Sequence, residues 1–372
     1  MILSPMTILY FTLQMDQLGG VARIESDKVN WLAQHGYDVV VCDIEDWPMT
    51  PYYPLDSRVS FIIGHLPTTP GGILTRAHNV WRSLRKVRRI IADVKPDVII
   101  NAHCPLVTWI LPFAARSLPL VTEMHQSRQG LAVFNRWAMS RPTAWAHKHL
   151  IRWIYGRYDR FVTLTDADRQ SWHLSNCICI PNFSSIDAVS HPDAEHRQII
   201  MLARLMPQKR IDLMIRVWQK LAPRFPQWRV KVLGEGLERE RLQTLIDSAG
   251  LSGSFLLAGA VKDVRDELSA SDIMCLTSEY EGFGIVLIEA MNMGVPVMAM
   301  DYVGVSDIIH DGTDGYVVPF ADVDAYADRL ATLMSSVAER RRLASNAYQS
   351  VRRFDRDTVM QQWVSLFEEL TR

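Results

Sequence analysis

Short apolar runs alternate with longer amphipathic segments along most of the chain. The apolar runs have the length and the flanking turn residues of buried β-strands, and the segments between them carry apolar residues at helical spacing. The predicted strands are 7–11, 39–41, 98–100, 120–122, 161–164, 177–180, 199–202, 230–233, 255–259 and 273–276. Strands that alternate with helices in this way predict an α/β protein built from doubly wound parallel sheets.

One break in this alternation indicates two domains. Residues 184–197 are polar and lack periodicity, and 372 residues exceed what a single hydrophobic core usually serves. We therefore predict a first domain over residues 1–185, a second over 186–350, and a closing helical segment over 351–372. The proline-rich segment 51–69 also lacks periodicity and is predicted to be a loop.

Composition and charge narrow the class of protein. Hydrophobic residues make up 48% of the chain and the formal net charge is −1, which gives no support to nucleic-acid binding. No apolar run reaches the roughly 18 residues needed to span a bilayer, and the opening residues lack the basic stretch and cleavage site of a signal peptide. The five cysteines are odd in number and mostly lie in predicted strands, so we expect reduced thiols in a cytoplasmic protein.

Two carboxylates occur in a βαβ unit that begins with strand 273–276 and continues as a glycine-rich turn, a short apolar helix and a further strand. Glu281 lies in the turn and Glu289 on the short apolar helix after it. Because Gly282 and Gly284 bend the entry to this helix, both acids can face the crevice at the carboxyl ends of the strands, where parallel sheets bind ligands. Such a pair is often merely solvated. Glu289, however, has apolar neighbours on both sides, and a buried carboxylate needs a partner such as ligand hydroxyls.

Two cations follow strand 199–202. Arg204 stands at the end of the strand and Lys209 five residues further on. Guanidinium grips phosphate oxygens in a fork and ammonium acts as a point charge, so the pair suits a diphosphate. The alternative is that both are ordinary surface residues of a loop.

Three further candidates lie in the first predicted domain. Gly20 ends a Gly-Gly pair before a helix, which suits a phosphate approaching free backbone N–H groups, although paired glycines also serve turn geometry alone. The G-x-G-x-x-G pattern of dinucleotide-binding dehydrogenases is absent there. His125, just past strand 120–122, lies where a ligand would bind, with His103 as the second choice; a lone histidine is also commonly structural.

Two segments carry several basic residues and no acid, namely 76–89 and 128–157. The first has apolar residues at helical spacing on its other face, and the second contains Trp137, Trp145 and Trp153. Tryptophans beside Lys and Arg suit an anionic membrane surface. Alternatively, the tryptophans pack against the core and the basic faces are only solvated.

The string Glu281-Gly-Phe-Gly-x4-Glu289-Ala resembles the E-x7-E signature of glycosyltransferase family 4, whose retaining members have the two-domain GT-B fold. Residues 203–210 are similar to the family's G-R-L-x4-K-G element, with Ala203 and Arg210 in place of its glycines. The resemblance implies two Rossmann-like domains that face each other across a cleft, the first on the acceptor side and the second binding the nucleotide sugar. It also implies that the closing helix crosses back to the first domain.

The resemblance implies transfer of a hexose, with retention, from a UDP- or GDP-linked sugar to a glycan or lipid-linked glycan, in bacterial surface polysaccharide synthesis. Arg204 and Lys209 would hold the diphosphate, and Glu289 the ribose hydroxyls. The sugar would be held by Glu281 with the Gly282-Phe283-Gly284 backbone and by His125, with Gly20 near the phosphates. Catalytic roles fall to His125, Glu281, Arg204 and Lys209.

No metal or other cofactor is expected, because two cationic side chains can replace the metal. The D-x-D strings at 166–168, 322–324 and 355–357 follow no evident nucleotide-site strand. A sugar-nucleotide epimerase and a non-catalytic scaffold on the same fold stay open as alternatives. The expected location is the cytoplasm, with peripheral contact at the inner face of the membrane if the basic segments bind it.

Overall fold

The structure is a computed structural model that describes residues 5–67, 73–102, 104–138, 141–186, 195–261 and 263–372. Its strands are β1 (Thr7–Thr12), β2 (Asp38–Asp43), β3 (Ser60–Ile63), β4 (Val98–Ala102), β5 (Leu120–Glu123), β6 (Arg160–Thr163), β7 (Cys177–Cys179), β8 (Gln198–Leu202), β9 (Arg229–Leu233), β10 (Phe255–Gly259), β11 (Ile273–Leu276), β12 (Val297–Met300) and β13 (Tyr316–Val318).

Helices connect these strands. They are α1 (Gly20–Gln34), α2 (Ile73–Val94), α3 (Pro105–Ala114), α4 (Arg128–Ala138), α5 (Arg141–Tyr155), α6 (Asp166–Trp172), α7 (Ile211–Leu221), α8 (Arg239–Ser248), α9 (Arg265–Ser269), α10 (Ile285–Asn292), α11 (Val323–Ser335), α12 (Val337–Ser350) and α13 (Arg356–Leu370). In the described ranges, none of these helices is both long enough and apolar enough to cross a bilayer.

The chain forms two compact units, each built on one parallel sheet. The first unit, Met1–Asn182 with Asp357–Arg372, has the strand order β3-β2-β1-β4-β5-β6-β7. The second, Phe183–Arg356, has the order β10-β9-β8-β11-β12-β13. Every strand pairing within the two sheets is parallel. The carboxyl ends of each sheet's strands therefore share one edge, which is where such sheets bind ligands.

The clearest departure from the sequence analysis lies between β2 and α2. The predicted loop 51–69 contains strand β3, whose residues pair with β2 from Val40 to Asp43. This edge strand is four residues long and only partly buried, so its composition carries little of the apolar signal that marks a central strand.

The two units divide at 182/183 and 356/357, whereas the predicted boundaries were 185/186 and 350/351. At the second boundary, Val351–Phe354 form a 3-10 helix that belongs to the second unit, because Phe354 packs edge-to-face on Phe283 with ring centroids 5.4 Å apart. Helix α13 then packs on the first unit. Trp31 Nε1 donates to Asp357 Oδ1 at 2.7 Å, and Lys28 Nζ lies 4.1 Å from the ring centroid of Trp363.

Candidate functional site

The loop after β8 is held against the loop after β9 by backbone contacts. Leu205 N donates to Glu235 O at 2.9 Å. A Cβ on Gly234 would lie 2.1 Å from Ala203 O, and one on Gly236 would lie 2.3 Å from Leu205 O. Only glycine permits this approach, so the Gly-Glu-Gly turn fixes the backbone that presents Arg204.

Replacing Gly236 with alanine is expected to lower the free energy of unfolding of the second unit by roughly 2 kcal/mol or more, because the Cβ collides with the backbone at a positive φ. Hydrogen exchange of the β8 and β9 amides measures this loss. Gly253→Ala is the matched control, since a Cβ there has no atom within 4 Å. Equal stability of the two variants would contradict the inferred contact.

Lys209 and Glu281 form an ion pair at the same edge of the second sheet. Lys209 Nζ lies 2.7 Å and 2.8 Å from the two carboxylate oxygens of Glu281, and Ser278 Oγ donates to Oε1 at 2.6 Å. The two charged side chains are 16% and 12% exposed. Thr277 Oγ1 donates to the carbonyls of Lys209 and Arg210 at 3.0 Å each, which ties the turn after β11 to the loop after β8. The structure thus brings these two predicted residues together.

Arg204 contributes a second positive charge to this edge. Its side chain is exposed. Among the described residues its guanidinium has no hydrogen-bond or ion-pair partner. It therefore remains available to an anion. The Lys209 ammonium can bind an anion only if it leaves Glu281 or contacts Glu281 and the anion at the same time.

The turn between Glu281 and α10 ends in a backbone conformation that only glycine adopts without strain. Gly284, the N-cap of α10, has φ +96°, and a Cβ there would lie 2.4 Å from the hydroxyl of Tyr302. That hydroxyl donates to Phe283 O at 3.0 Å. The N-terminal N–H groups of α10 and their partial positive charge therefore face the turn that carries Glu281 and Gly282.

Glu289 lies on α10 and is buried, as its apolar flanks predict. Glu281, the other acid of the E-x7-E string, forms an ion pair with Lys209, so the two acids have different surroundings. No cluster of three or more His, Cys, Asp or Glu side chains with the geometry of a metal site is found in the ranges the structure describes.

In the first unit, Gly20 is the first residue of α1 and is exposed, next to the N-cap Gly19. His125 follows β5, as predicted, but its side chain is only 4% exposed. Its Nε2 lies 3.6 Å from Glu25 Oε1 and 3.6 Å from Glu123 Oε1. The ring is thus turned toward buried acids. His103, the second choice, lies outside the described residues.

The acids around His125 belong to a buried polar cluster that the sequence analysis missed. Lys28 Nζ lies 2.5 Å from both carboxylate oxygens of Glu123, and Tyr10 Oη donates to Glu123 at 3.0 Å. Thr12 Oγ1 donates to Glu25. A signal was available: at helical spacing, Glu25 and Lys28 fall on the stripe of α1 that should be apolar.

Burial acts on both carboxyl groups of this cluster, with different outcomes. It raises the pKa of Glu25 to about 8, against the lowering effect of the Thr12 hydrogen bond. Burial also pushes the pKa of Glu123 upward, but Lys28 and His125 outweigh it and hold that pKa below its ordinary value.

The raised pKa of Glu25 predicts a pH-dependent stability. Since the folded state keeps Glu25 protonated where the unfolded chain ionises, its contribution is fully present below the unfolded value of 4.5 and is lost as pH rises toward about 8. The difference in unfolding free energy between the wild type and Glu25→Gln should therefore shrink or reverse from pH 5 to pH 8. Urea denaturation at both pH values measures it, and a difference independent of pH would contradict the prediction.

Comparison with known families covers nearly the whole chain. The profile of the family "Glycosyltransferase Family 4" matches residues 18–182, and the profile "Glycosyl transferases group 1" matches residues 182–350. The junction of the two matches coincides with the boundary between the two compact units.

Two curated relatives illustrate the similarity. The amylovoran biosynthesis glycosyltransferase AmsD of Erwinia amylovora is 23% identical, over 93% of this chain and 95% of that protein. An exopolysaccharide phosphotransferase of Streptomyces coelicolor is 26% identical over 95% of this chain, which spans only 40% of that protein's length.

Solved structures share the fold. Sucrose-phosphate synthase from Thermosynechococcus elongatus has a TM-score of 0.82 at 18% identity, covering 98% of this chain and 99% of that one. Anabaena HepE, solved in complex with UDP and glucose, has a TM-score of 0.76 at 18% identity and covers 98% and 100%. Two parallel-sheet α/β units with these neighbours establish the GT-B fold.

Proposed function

The chain belongs to glycosyltransferase family 4, and we propose that it moves a hexose from a UDP- or GDP-linked sugar to a glycan or lipid-linked glycan acceptor, with retention at the anomeric carbon. The observation that carries the proposal is the Lys209–Glu281–Ser278 cluster beside Arg204 at the carboxyl edge of β8 and β11. The proposed setting is bacterial surface polysaccharide synthesis. Relatives in such synthesis, including the amylovoran enzyme, support it.

The chemical demand is to stabilise the departing nucleoside diphosphate while the sugar becomes cation-like. Arg204 and Lys209 supply two positive charges, and the N-terminus of α10 adds its partial charge. Glu281 holds Lys209 in place before the donor binds. When the donor is bound, its carboxylate accepts hydrogen bonds from the sugar, with the Gly282-Phe283-Gly284 backbone alongside.

The remaining proposed roles concern binding. Glu289, buried on α10, accepts hydrogen bonds from the ribose hydroxyls, and Gly20 approaches the donor phosphates. His125 keeps its proposed role toward the sugar. No divalent metal or other cofactor enters the proposal, because the two cationic side chains neutralise the leaving group.

Nucleotide binding is the first test. With EDTA present, we expect UDP or GDP, within a panel of nucleoside diphosphates, to raise the melting temperature of the purified protein. Glu289→Ala should abolish the rise, because the ribose loses its acceptor. Glu240→Ala, which removes an exposed acid of the same unit, is the control that should retain it. Absence of any shift in well-folded protein would point to the scaffold alternative.

A second assay separates transfer from epimerisation. The donor identified by the shift is incubated with and without a glycan acceptor. Transfer predicts that the sugar moves only when acceptor is present and that the product keeps the anomeric configuration. Conversion of the donor to an isomer without acceptor would indicate the epimerase.

A surface of the first unit supports the proposed membrane contact. Trp81, Trp145 and Trp153 are 52%, 66% and 47% exposed. Helix α3 contacts both helices that carry these tryptophans, α2 and α5. Arg88 of α2 donates to Phe113 O at 3.1 Å, and the ring centroids of Phe113 and Trp153 are 6.3 Å apart. Exposed tryptophans among arginines suit an anionic bilayer, from which a lipid-linked acceptor would be presented.

Vesicle sedimentation tests this contact. We expect the protein to bind vesicles that contain phosphatidylglycerol, more weakly as salt rises, and not to bind pure phosphatidylcholine vesicles. Trp145→Ser should weaken binding, whereas Trp47→Ser, which removes an exposed tryptophan outside these helices, should not. Equal binding to both kinds of vesicle would contradict an electrostatic contact.

A further inference from the structure

The first unit contains a buried cluster of ionisable groups that the proposed chemistry leaves unexplained. Glu25 and Lys28 come from α1, and Glu123 ends β5; His125 follows two residues later. All three charged side chains are buried, and the His125 ring is nearly so. Isolated charges in such a place cost several kcal/mol each, so the protons must be arranged to keep the cluster close to neutral.

When the charges of the cluster are counted, one proton has to be assigned either to an acid or to the imidazole ring. Lys28 and Glu123 neutralise each other, since Lys28 Nζ lies 2.5 Å from both carboxylate oxygens. The remaining members are Glu25 and His125, whose Oε1 and Nε2 are 3.6 Å apart. A neutral acid beside a neutral ring and a carboxylate beside an imidazolium hold the same number of protons. Burial favours the first form, and the attraction between opposite charges favours the second.

We propose that Glu25 and His125 share one proton within this cluster, and that Glu25 is the positioning residue that sets the charge and orientation of the His125 ring. The proton lies on Glu25 Oε1 or on His125 Nε2, and it leaves the pair only when the solution becomes alkaline. This proposal rests on the proposed function in one respect: His125 is the residue through which Glu25 acts on the donor sugar.

Several elements of the first unit bring groups that interact with Glu25. They are Glu123 of β5, Lys28 of α1, Tyr10 and Thr12 of β1, Asp43 of β2, and Cys104 before α3. The pKa of Glu25 is raised to about 8, first by burial and then by the negative charges of Glu123 and Asp43, while Thr12 and Lys28 act in the opposite direction. A pair embedded in this way keeps its proton at neutral pH.

The decisive measurement is an NMR pH titration of the imidazole of His125 in the full-length protein. His125→Asn assigns the resonance, because it is the one that disappears. In the wild type we expect the ring to change protonation together with Glu25, at an alkaline midpoint. In Glu25→Gln the ring loses the acid that lies 3.6 Å from its Nε2, and Glu123 is already neutralised by Lys28, so its midpoint should fall by about one pH unit or more.

Matched variants make the result specific. Asp168→Asn alters another buried acid of the first unit, one that accepts from Arg128 N and Trp172 Nε1, and it should leave the His125 midpoint unchanged. Thr12→Val removes the hydroxyl donor of Glu25, so it should move the shared midpoint upward, which tests the proposal again if Glu25→Gln folds poorly. An unchanged His125 midpoint in both cluster variants overturns the proposal.

Transfer assays then separate this proposal from the proposed function. If both hold, the wild-type rate falls as pH rises through the shared midpoint. In Glu25→Gln that fall moves to lower pH together with the His125 midpoint, while Asp168→Asn keeps the wild-type profile. If the NMR titration behaves as expected and no donor is turned over, the function fails and the proton pair stands. If the enzyme is active and its rate has the same pH profile in Glu25→Gln, Glu25 has no effect through His125 and the proposal fails.

Discussion

Replacing Lys209 with alanine is expected to lower kcat/KM for sugar transfer by roughly 10²- to 10³-fold, which corresponds to about 2.7–4 kcal/mol of transition-state stabilisation. The ammonium group supplies one preorganised charge to the departing diphosphate. Its removal also releases Glu281, whose carboxylate it holds at 2.7 Å and 2.8 Å. Steady-state kinetics with saturating acceptor measures the loss.

The control for Lys209→Ala is Lys231→Ala. Lys231 forms a partly exposed ion pair of similar length with Glu267, 2.6 Å, in the same unit, so its loss reproduces the structural cost without touching the proposed site. Transfer should be unaffected in that variant. A loss of less than threefold in folded Lys209→Ala would remove Lys209 from the catalytic machinery.

A double-mutant cycle tells whether Lys209 and Glu281 act together. If the lysine is positioned by the carboxylate, adding Glu281→Gln to Lys209→Ala should cost much less than Glu281→Gln alone costs in the wild type. Additive losses would mean that each residue contacts the donor independently.

Much of this fold can be predicted from sequence because its signals are local. Buried parallel strands are short apolar runs, and those of β8 and β11 identify where the following loops must lie. The positions of Arg204 and Glu281 at one sheet edge then follow from topology. The Lys209–Glu281 pair itself does not follow, because it depends on β8 and β11 being neighbours, and its partners are 72 residues apart in sequence.

The failures have equally physical causes. Strand β3 is a short, half-buried edge strand, so it lacks the continuous apolar run by which the other strands are recognised. The environment of His125 was missed because a position just after a strand predicts where the backbone of the residue lies, but not the direction in which its ring points. The pairing of Lys28 with Glu123 was missed because Glu123 lies on a strand 95 residues beyond Lys28 in sequence.

Replacing Lys28 with methionine is expected to produce the largest loss of stability in the first unit, about 3–5 kcal/mol, because Glu123 is left as a buried carboxylate without its cation. Methionine keeps most of the side-chain volume under Trp363, which separates the charge effect from a packing defect. Hydrogen exchange of the β1 and β5 amides at pH 7.5 reports the unfolding free energy of this unit alone.

The pH dependence of this loss identifies its cause. In the wild type the lowered pKa of Glu123 gives stability that is present above its unfolded value, 4.5, and is lost as pH falls through the folded pKa. In Lys28→Met burial acts unopposed by the lysine, so Glu123 becomes neutral at a higher pH. The difference in unfolding free energy between the wild type and Lys28→Met should therefore disappear on acidification from pH 7.5 to pH 5. The double variant Lys28→Met/Glu123→Leu should recover most of the loss at pH 7.5, because replacing a buried ion pair with apolar groups costs little. A deficit that persists at pH 5 and in the double variant would mean that Lys28 stabilises the unit through its contact with Trp363 and not through Glu123.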